Sequence, residues 1–172
     1  MIFIGSVVYF LYWLYQPMLK EVNVDIFYFG FVYAFMGIGQ IIIMNNYERL
    51  EKIFGSKRRL LVFSSIITGV MLIIGGLIKL FPVILLCIVF GCSFGFARRP
   101  LFINYMNKFI PSDIRATINS TISMFERCVL AIINPFVGLL IDWSLSYTLI
   151  ILGSAALIFS ILSKIKETDL ID

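Results

Sequence analysis

The chain has 172 residues, of which 60% are hydrophobic and 14% charged, with a formal net charge of +4 at pH 7. A soluble domain rarely has so apolar a composition, so we expect an all-α integral membrane protein and no nucleic-acid partner. Histidine is absent, and the three cysteines, Cys87, Cys92 and Cys128, lie inside apolar runs. This argues against a zinc or haem site, and we expect no metal and no cofactor.

Six apolar stretches are candidates to cross a bilayer, since a membrane-spanning helix needs about 20 residues. They cover approximately residues 2–16, 27–45, 60–78, 82–106, 114–141 and 147–163, which predicts one six-helix transmembrane domain. The basic residues on one side of the predicted membrane are Arg49, Lys52, Lys57, Arg58, Arg59, Arg98, Arg99, Lys108, Arg115, Lys164 and Lys166. Lys20 and Lys79 lie on the other side, so the positive-inside rule predicts a multi-pass cell-membrane protein with both termini in the cytoplasm.

The first predicted span carries an aromatic face. Tyr9, Tyr12, Trp13 and Gln16 recur at helical spacing. Two interpretations stay open: these side chains anchor the helix at the membrane interface, or they line a pocket for an organic ligand. In the second span Gln40 is the one polar residue, and we count it among the candidate substrate contacts.

The connection between the second and third spans, 45–59, is the most charged stretch of the chain. Its spacing predicts a short surface helix that ends at Gly55. A positive-inside loop accounts for most of its charges, and the alternative is a gating loop that uses Arg49, Gly55, Arg58 and Arg59.

Two arginines, Arg98 and Arg99, follow the fourth span. Either their side chains snorkel to the cytoplasmic interface, or one of them enters a water-filled cavity as a substrate or gating contact. Pro111 should end the helix that contains them, and Ser112 or Asp113 should cap the next one.

The polar residues of the fifth span form one stripe along the helix. Within an arc of about 120° on a helix lie Asn119, Ser120, Ser123, Glu126, Arg127, Asn134 and Gly138. Charges near the middle of a span cost at least a few kcal/mol each, so this stripe should face protein or water. Within the same span, the dipeptide Asn134-Pro135 should kink the helix.

The charged pair of this stripe has a functional and a structural interpretation. In the first, Glu126 is a proton- or cation-responsive carboxylate, and Arg127, Asn119, Ser123 and Asn134 contribute to substrate binding or coupling. In the second, Arg127 bonds helix carbonyls or Asn134 and locks an interface. Adjacent residues point in different directions, so one charge can contact substrate while the other contacts a partner.

Four stretches, in this order and spacing, resemble the C-terminal six-helix half of a major facilitator superfamily transporter. They are YQPMLKEVNVDIFYFGFVYA, ERLEKIFGSKRRLL, RRPLFINYMNKFIPSDIRATINSTISM and IINPFVGLLID. The resemblance implies alternating access, with the first and fourth spans lining the cavity and the second and fifth facing the other half. It also implies that the third and sixth spans, which lack ionisable residues, face lipid.

Two features depart from that family. Lys52 stands three residues before Gly55, where the family has an Asp-Arg pair shortly before its glycine, which puts the gating ion pair of this loop in doubt. The family also has twelve helices, so the chain is a fragment of a longer protein, a truncated gene product, or a half that pairs with another half.

The sequence therefore predicts transport of a small molecule by alternating access, specifically proton-coupled efflux of an organic compound. The expected partners are the lipid bilayer, the substrate, and an N-terminal six-helix half or a second copy. The alternative is a non-transporting membrane assembly subunit or an inactive transporter fragment. An enzyme is not expected, because the sequence offers no Ser-His pair, no paired aspartates and no metal-ligand cluster.

Overall fold

The computed structural model describes residues 2–162, with side chains described from residue 9 onward except at position 105. The helices are α1 Ile2–Glu21, α2 Phe29–Asn45, α3 Tyr47–Phe54, α4 Lys57–Leu77, α5 Phe81–Phe109, α6 Arg115–Trp143 and α7 Leu145–Leu162, with a 3₁₀ turn at Ile26–Tyr28. No strand occurs among these residues.

Five helical segments are long and apolar enough to cross a membrane. They are Ile26–Asn45, Lys57–Leu77, Phe81–Phe109, Arg115–Trp143 and Leu145–Leu162. The helix α1, which contains the first predicted span at 2–16, is not one of the five. The described part of the chain is thus all-α with five candidate spans, a coarser result than the six-span half-bundle expected from the sequence. Lys164 and Lys166, two of the basic residues used to predict orientation, lie outside the described residues.

Successive long helices run up and down. Tyr12 and Tyr15 of α1 contact Tyr33 and Phe29 of α2, respectively, so these two helices are antiparallel. Thr68 and Ser65 of α4 contact Gly91 and Arg98 of α5, respectively, so these two helices are antiparallel as well. We call the end that holds α3 and the α5–α6 turn the basic end.

The centre of the bundle is formed by α1, α4, α5 and α7. Their fully or nearly fully buried side chains include Leu11, Leu14, Met18, Leu72, Ile84, Ile88 and Leu149. In Lys57–Leu77 and in Phe81–Phe109, 50% of the most apolar window is buried. The corresponding share is only 17% for Ile26–Asn45 and 6% for Arg115–Trp143. The helices α2 and α6 therefore present most of their surface to the outside.

The tightest crossing joins α4 and α7. A Cβ added to Gly153 would lie 2.6 Å from the carbonyl oxygen of Gly69, so only a residue without a side chain fits there. Gly153 and Ala156 of α7 are buried, and small residues of this kind let two membrane helices approach closely. The third predicted span, expected to face lipid over much of its surface, is half buried as α4 because α7 and α5 both pack on it.

The two turns at the basic end differ in how well the sequence predicted them. As expected, α3 is a short helix that ends at Gly55, whose φ of 73° is left-handed. The cap predicted for α6 at Ser112 or Asp113 is wrong. Ile114 precedes the helix without a side-chain cap bond, because a turn closed by the Ile114 N–H and the Pro111 carbonyl holds both candidates too early in the chain.

Candidate functional site

One ion pair links α5 to α6. Arg99 Nη2 donates to Glu126 Oε2 at 2.7 Å. The Glu126 side chain is 25% exposed and that of Arg99 60% exposed, so the carboxylate lies deeper than the guanidinium. Because the contact uses one nitrogen of a group with five N–H donors, Arg99 keeps donors that point away from Glu126.

The neighbouring Arg98 points the other way, into the bundle. It is only 5% exposed and donates from Nη1 to the hydroxyl of Ser65 on α4. It also lines a cavity of about 10 Å³ between α2, α4 and α5, which has room for about one water molecule. The side chain of Arg98 therefore does not snorkel to the interface. It points about 100° away from that of Arg99, because adjacent helical residues are separated by that angle, and it is enclosed by α4.

These three residues form a cluster with more positive than negative charge. Glu126 bonds Arg99 directly and also attracts Arg98 electrostatically. The hydrogen-bond partner of Arg98, Ser65, is neutral. We refer to Arg98, Arg99 and Glu126 as the charge cluster, which contains one carboxylate and two guanidinium groups.

The charge cluster lies toward the basic end of the two longest helices. At 1.5 Å per residue, Arg99 is about 27 Å from Phe81, and Glu126 is about 26 Å from Trp143. The hydrocarbon core of a bilayer is about 30 Å thick. The sequence placed Glu126 near the middle of its span, but α5 and α6 extend well past that thickness at the basic end. The cluster is therefore off-centre if the other ends of the helices are level with the membrane surface.

The polar stripe predicted on α6 is divided between two environments. Asn119 donates to Asn107 Oδ1 on α5 at 3.0 Å, and Ser123 is partly buried near Glu126. Arg127 and Asn134 are exposed instead. Within the described residues Arg127 makes no ion pair and no hydrogen bond to Asn134, so the proposed lock between these two side chains is not present. Pro135 lies inside α6, which continues to Trp143.

An aromatic cluster from three helices lies next to Arg99 along α5. The ring of Tyr12 is 5.7 Å from Phe96 of α5 and 6.0 Å from Tyr33 of α2. Trp13 contacts Tyr9 and Tyr12 and is 59% exposed. The aromatic face predicted for the first span thus takes part in inter-helix packing and also keeps an open side.

The remaining candidates lie apart from this cluster. Gln16 donates to the hydroxyl of its neighbour Tyr15, and Gln40 contacts Met44 within α2. In the predicted gating loop, Arg49, Gly55, Arg58 and Arg59 are exposed. Within the described chain, no group of three His, Cys, Asp or Glu side chains could hold a metal.

Sequence reasoning missed four residues of the site: Ser65, Phe96, Asn107 and Tyr33. One signal was available for Phe96, since it precedes Arg99 by three residues and so lies on a neighbouring part of the same helix face. Tyr33 and Ser65 are brought in by other helices, and Asn107, which lies on α5, is identified only by its contact with Asn119 of α6.

Comparisons with known proteins do not assign the chain to a family. No family model, no curated protein and no solved structure matches it. The resemblance to the major facilitator superfamily therefore depends on the order and spacing of the sequence motifs alone.

Proposed function

We propose that this chain is one half of an alternating-access transporter for a small organic molecule, coupled to protons through Glu126. In this proposal the half is a six-helix, major-facilitator-like bundle in the cell membrane with both termini in the cytoplasm. The other half is an N-terminal six-helix unit or a second copy, and the expected direction is efflux.

The exposure of α6 is the observation that carries this proposal. This helix has two charged residues along its central part, and only 6% of its most apolar window is buried. In a bilayer, exposed Arg127 and Asn134 need protein or water beside them, because lipid cannot satisfy their hydrogen bonds. A second half that packs on α2 and α6 would supply that environment and would enclose a site between the halves.

The Arg99–Glu126 pair supports proton coupling. A charge-assisted hydrogen bond is roughly twice as strong as a neutral one, so protonation of Glu126 weakens the link between α5 and α6. Loss of the proton restores the link. A contact that changes strength with one proton, and that joins two helices near one end of a bundle, is suited to open and close that end during transport.

The proposal is tested with the full chain reconstituted in proteoliposomes, using two organic probes of opposite charge, naphthalene-2-sulfonate and ethidium, and an imposed pH gradient as the driving force. Wild-type protein should move at least one of the two probes against its concentration gradient, and Glu126→Gln should abolish that gradient-driven movement. The matched control is Glu48→Gln, the same substitution at an exposed position on α3, which should leave the flux unchanged. Equal flux from the wild type and Glu126→Gln would remove the coupling role.

The second candidate is a non-transporting assembly subunit, and the same exposed surface of α2 and α6 favours it. The native Cys128 lies on the exposed side of α6 and can report on a second copy. Cross-linking in membranes with a bismaleimide should give a dimer that Cys128→Ser removes. A dimer that forms in membranes without any flux would favour assembly over transport.

A further inference from the structure

The charged residues in the central parts of the candidate spans are mostly positive. In the described chain, and excluding two turns at each helix end, these residues are Arg98, Arg99, Glu126 and Arg127. Glu126 is the one carboxylate of the set, and both Arg98 and Arg99 interact with it. Two positive charges are therefore in excess in the part of the chain that the apolar spans would carry into the membrane.

An excess of positive charge in a low-dielectric environment favours binding of an anion. A buried guanidinium is costly unless a negative group compensates it, and Arg98 has only the neutral hydroxyl of Ser65 as a hydrogen-bond partner. Arg99 is 60% exposed and bonds Glu126 through a single nitrogen. Its other N–H groups are free to hold a carboxylate, sulfonate or phosphate in the forked geometry that arginine prefers.

A cationic substrate fits this arrangement poorly. It would need a carboxylate that is free to pair with it, but Glu126 is already bonded to Arg99 and only 25% exposed. Binding a cation would also add positive charge beside Arg98 and Arg99, and like charges at close range repel strongly where water is scarce.

The aromatic cluster adds an apolar surface next to the anion-binding groups. Phe96 precedes Arg99 by three residues, which is about 4.5 Å along the helix. Its ring contacts Tyr12, and Trp13 and Tyr33 beside it are 59% and 51% exposed. An aromatic ring can stack on this surface while an acid group attached to it reaches Arg99.

We propose that the transported compound is an amphiphilic organic anion, with its ring against Tyr12, Trp13 and Phe96 and its acid group on Arg99. The inference rests on the transport function proposed above and names the substrate class of the same site. The small cavity beside Arg98 holds about one water, so the organic part of the ligand lies on the open side of α5, where Arg99 points.

Two permanently charged probes with the same ring system test the sign of the preference. They are naphthalene-2-sulfonate and trimethyl(2-naphthyl)ammonium, neither of which crosses lipid readily. The full chain is reconstituted in vesicles of zwitterionic phosphatidylcholine, and uptake of each probe is measured in exchange for the same unlabelled compound. We expect sulfonate uptake at least ten times faster than uptake of the ammonium compound.

Three variants connect that preference to Arg99. Arg99→Gln should reduce sulfonate uptake at least tenfold, and Arg99→Lys, which keeps the charge but loses the fork, should fall between Gln and wild type. Lys20→Gln removes an exposed positive charge at the opposite end of α1 and should have no effect. If Arg99→Gln fails to fold, Trp13→Ala, at an exposed position of the proposed ring-binding surface, should still reduce sulfonate uptake severalfold.

The outcomes separate the two proposals. Uptake of the ammonium probe in preference to the sulfonate would overturn the anion inference and leave the transport function standing. Sulfonate uptake that is insensitive to both arginine substitutions would also overturn the inference. Vesicles that take up neither these probes nor ethidium would refute the transport function, and the substrate class would fall with it.

Discussion

Gly153→Ala tests the closest helix crossing in the bundle. The added Cβ would lie 2.6 Å from the Gly69 carbonyl oxygen and 2.7 Å from Ile73 Cγ1, and ordinary contact begins at 3.4 Å. The backbone of α4 must therefore retreat by about 0.8 Å, the difference between 2.6 and 3.4 Å. Overpacking of this kind costs about 1–3 kcal/mol, while alanine gains about 1 kcal/mol of helix propensity over glycine. We expect a net loss of up to about 2 kcal/mol.

The measurement is unfolding of the purified full chain by SDS in mixed micelles, followed by the fluorescence of Trp13 and Trp143. The matched control is Gly37→Ala on α2, where an added Cβ meets nothing within 4 Å. This control should be neutral or slightly stabilising, because it gains helix propensity without a clash. If Gly153→Ala unfolded at the same SDS fraction as Gly37→Ala, α4 and α7 would not cross as closely as described.

Two further substitutions test polar contacts with the same unfolding assay. Ser65→Ala removes the hydroxyl that accepts from the buried Arg98, so we expect a loss of about 1.5–3 kcal/mol, and Ser65→Thr, which keeps a hydroxyl, should lose less. A loss below about 0.5 kcal/mol would show that another group satisfies Arg98. Lys79→Gln breaks the exposed ion pair with Glu21 and should lower the free energy of unfolding by about 1 kcal/mol or less. This loss should be smaller at high salt, and a larger loss that does not depend on salt would contradict the prediction.

The features that the sequence predicted well are those set by residues close together in the chain. The short helix between the second and third spans ends at Gly55 because a left-handed residue is needed there, and that need is local. Periodicity also placed Asn119 and Glu126 on one face of α6, and both contact α5, whereas Arg127 of the same predicted stripe is exposed.

The rotation of each helix against its neighbours was not predictable in this way. The sequence shows that Arg98 and Arg99 point about 100° apart, but not which one faces α4 and which one faces α6. That choice depends on how α4 and α5 pack, including the contact of Thr68 with the Gly91 carbonyl at 3.1 Å. For the same reason the partner of Glu126, 27 positions away in the chain, could not be named from spacing.

The position of the charge cluster along the helices explains how a bilayer can tolerate it. Both α5 and α6 have 29 residues, whereas α4 has 21. The connections at the end opposite the basic end are short, which keeps the helix ends there nearly level, so the extra length of α5 and α6 must project at the basic end. Arg99 and Glu126 then lie within a few ångströms of that membrane surface, where charges cost less than at the centre. Water from that side can reach the open face of Arg99, and a proton can reach Glu126 by the same route. The opposite side of the membrane is separated from Arg99 and Glu126 by about 26 Å of apolar helix. In the transporter half that we propose, a proton-sensitive link so placed would act on a gate at the basic end, and a gate on the other side would use a different set of contacts.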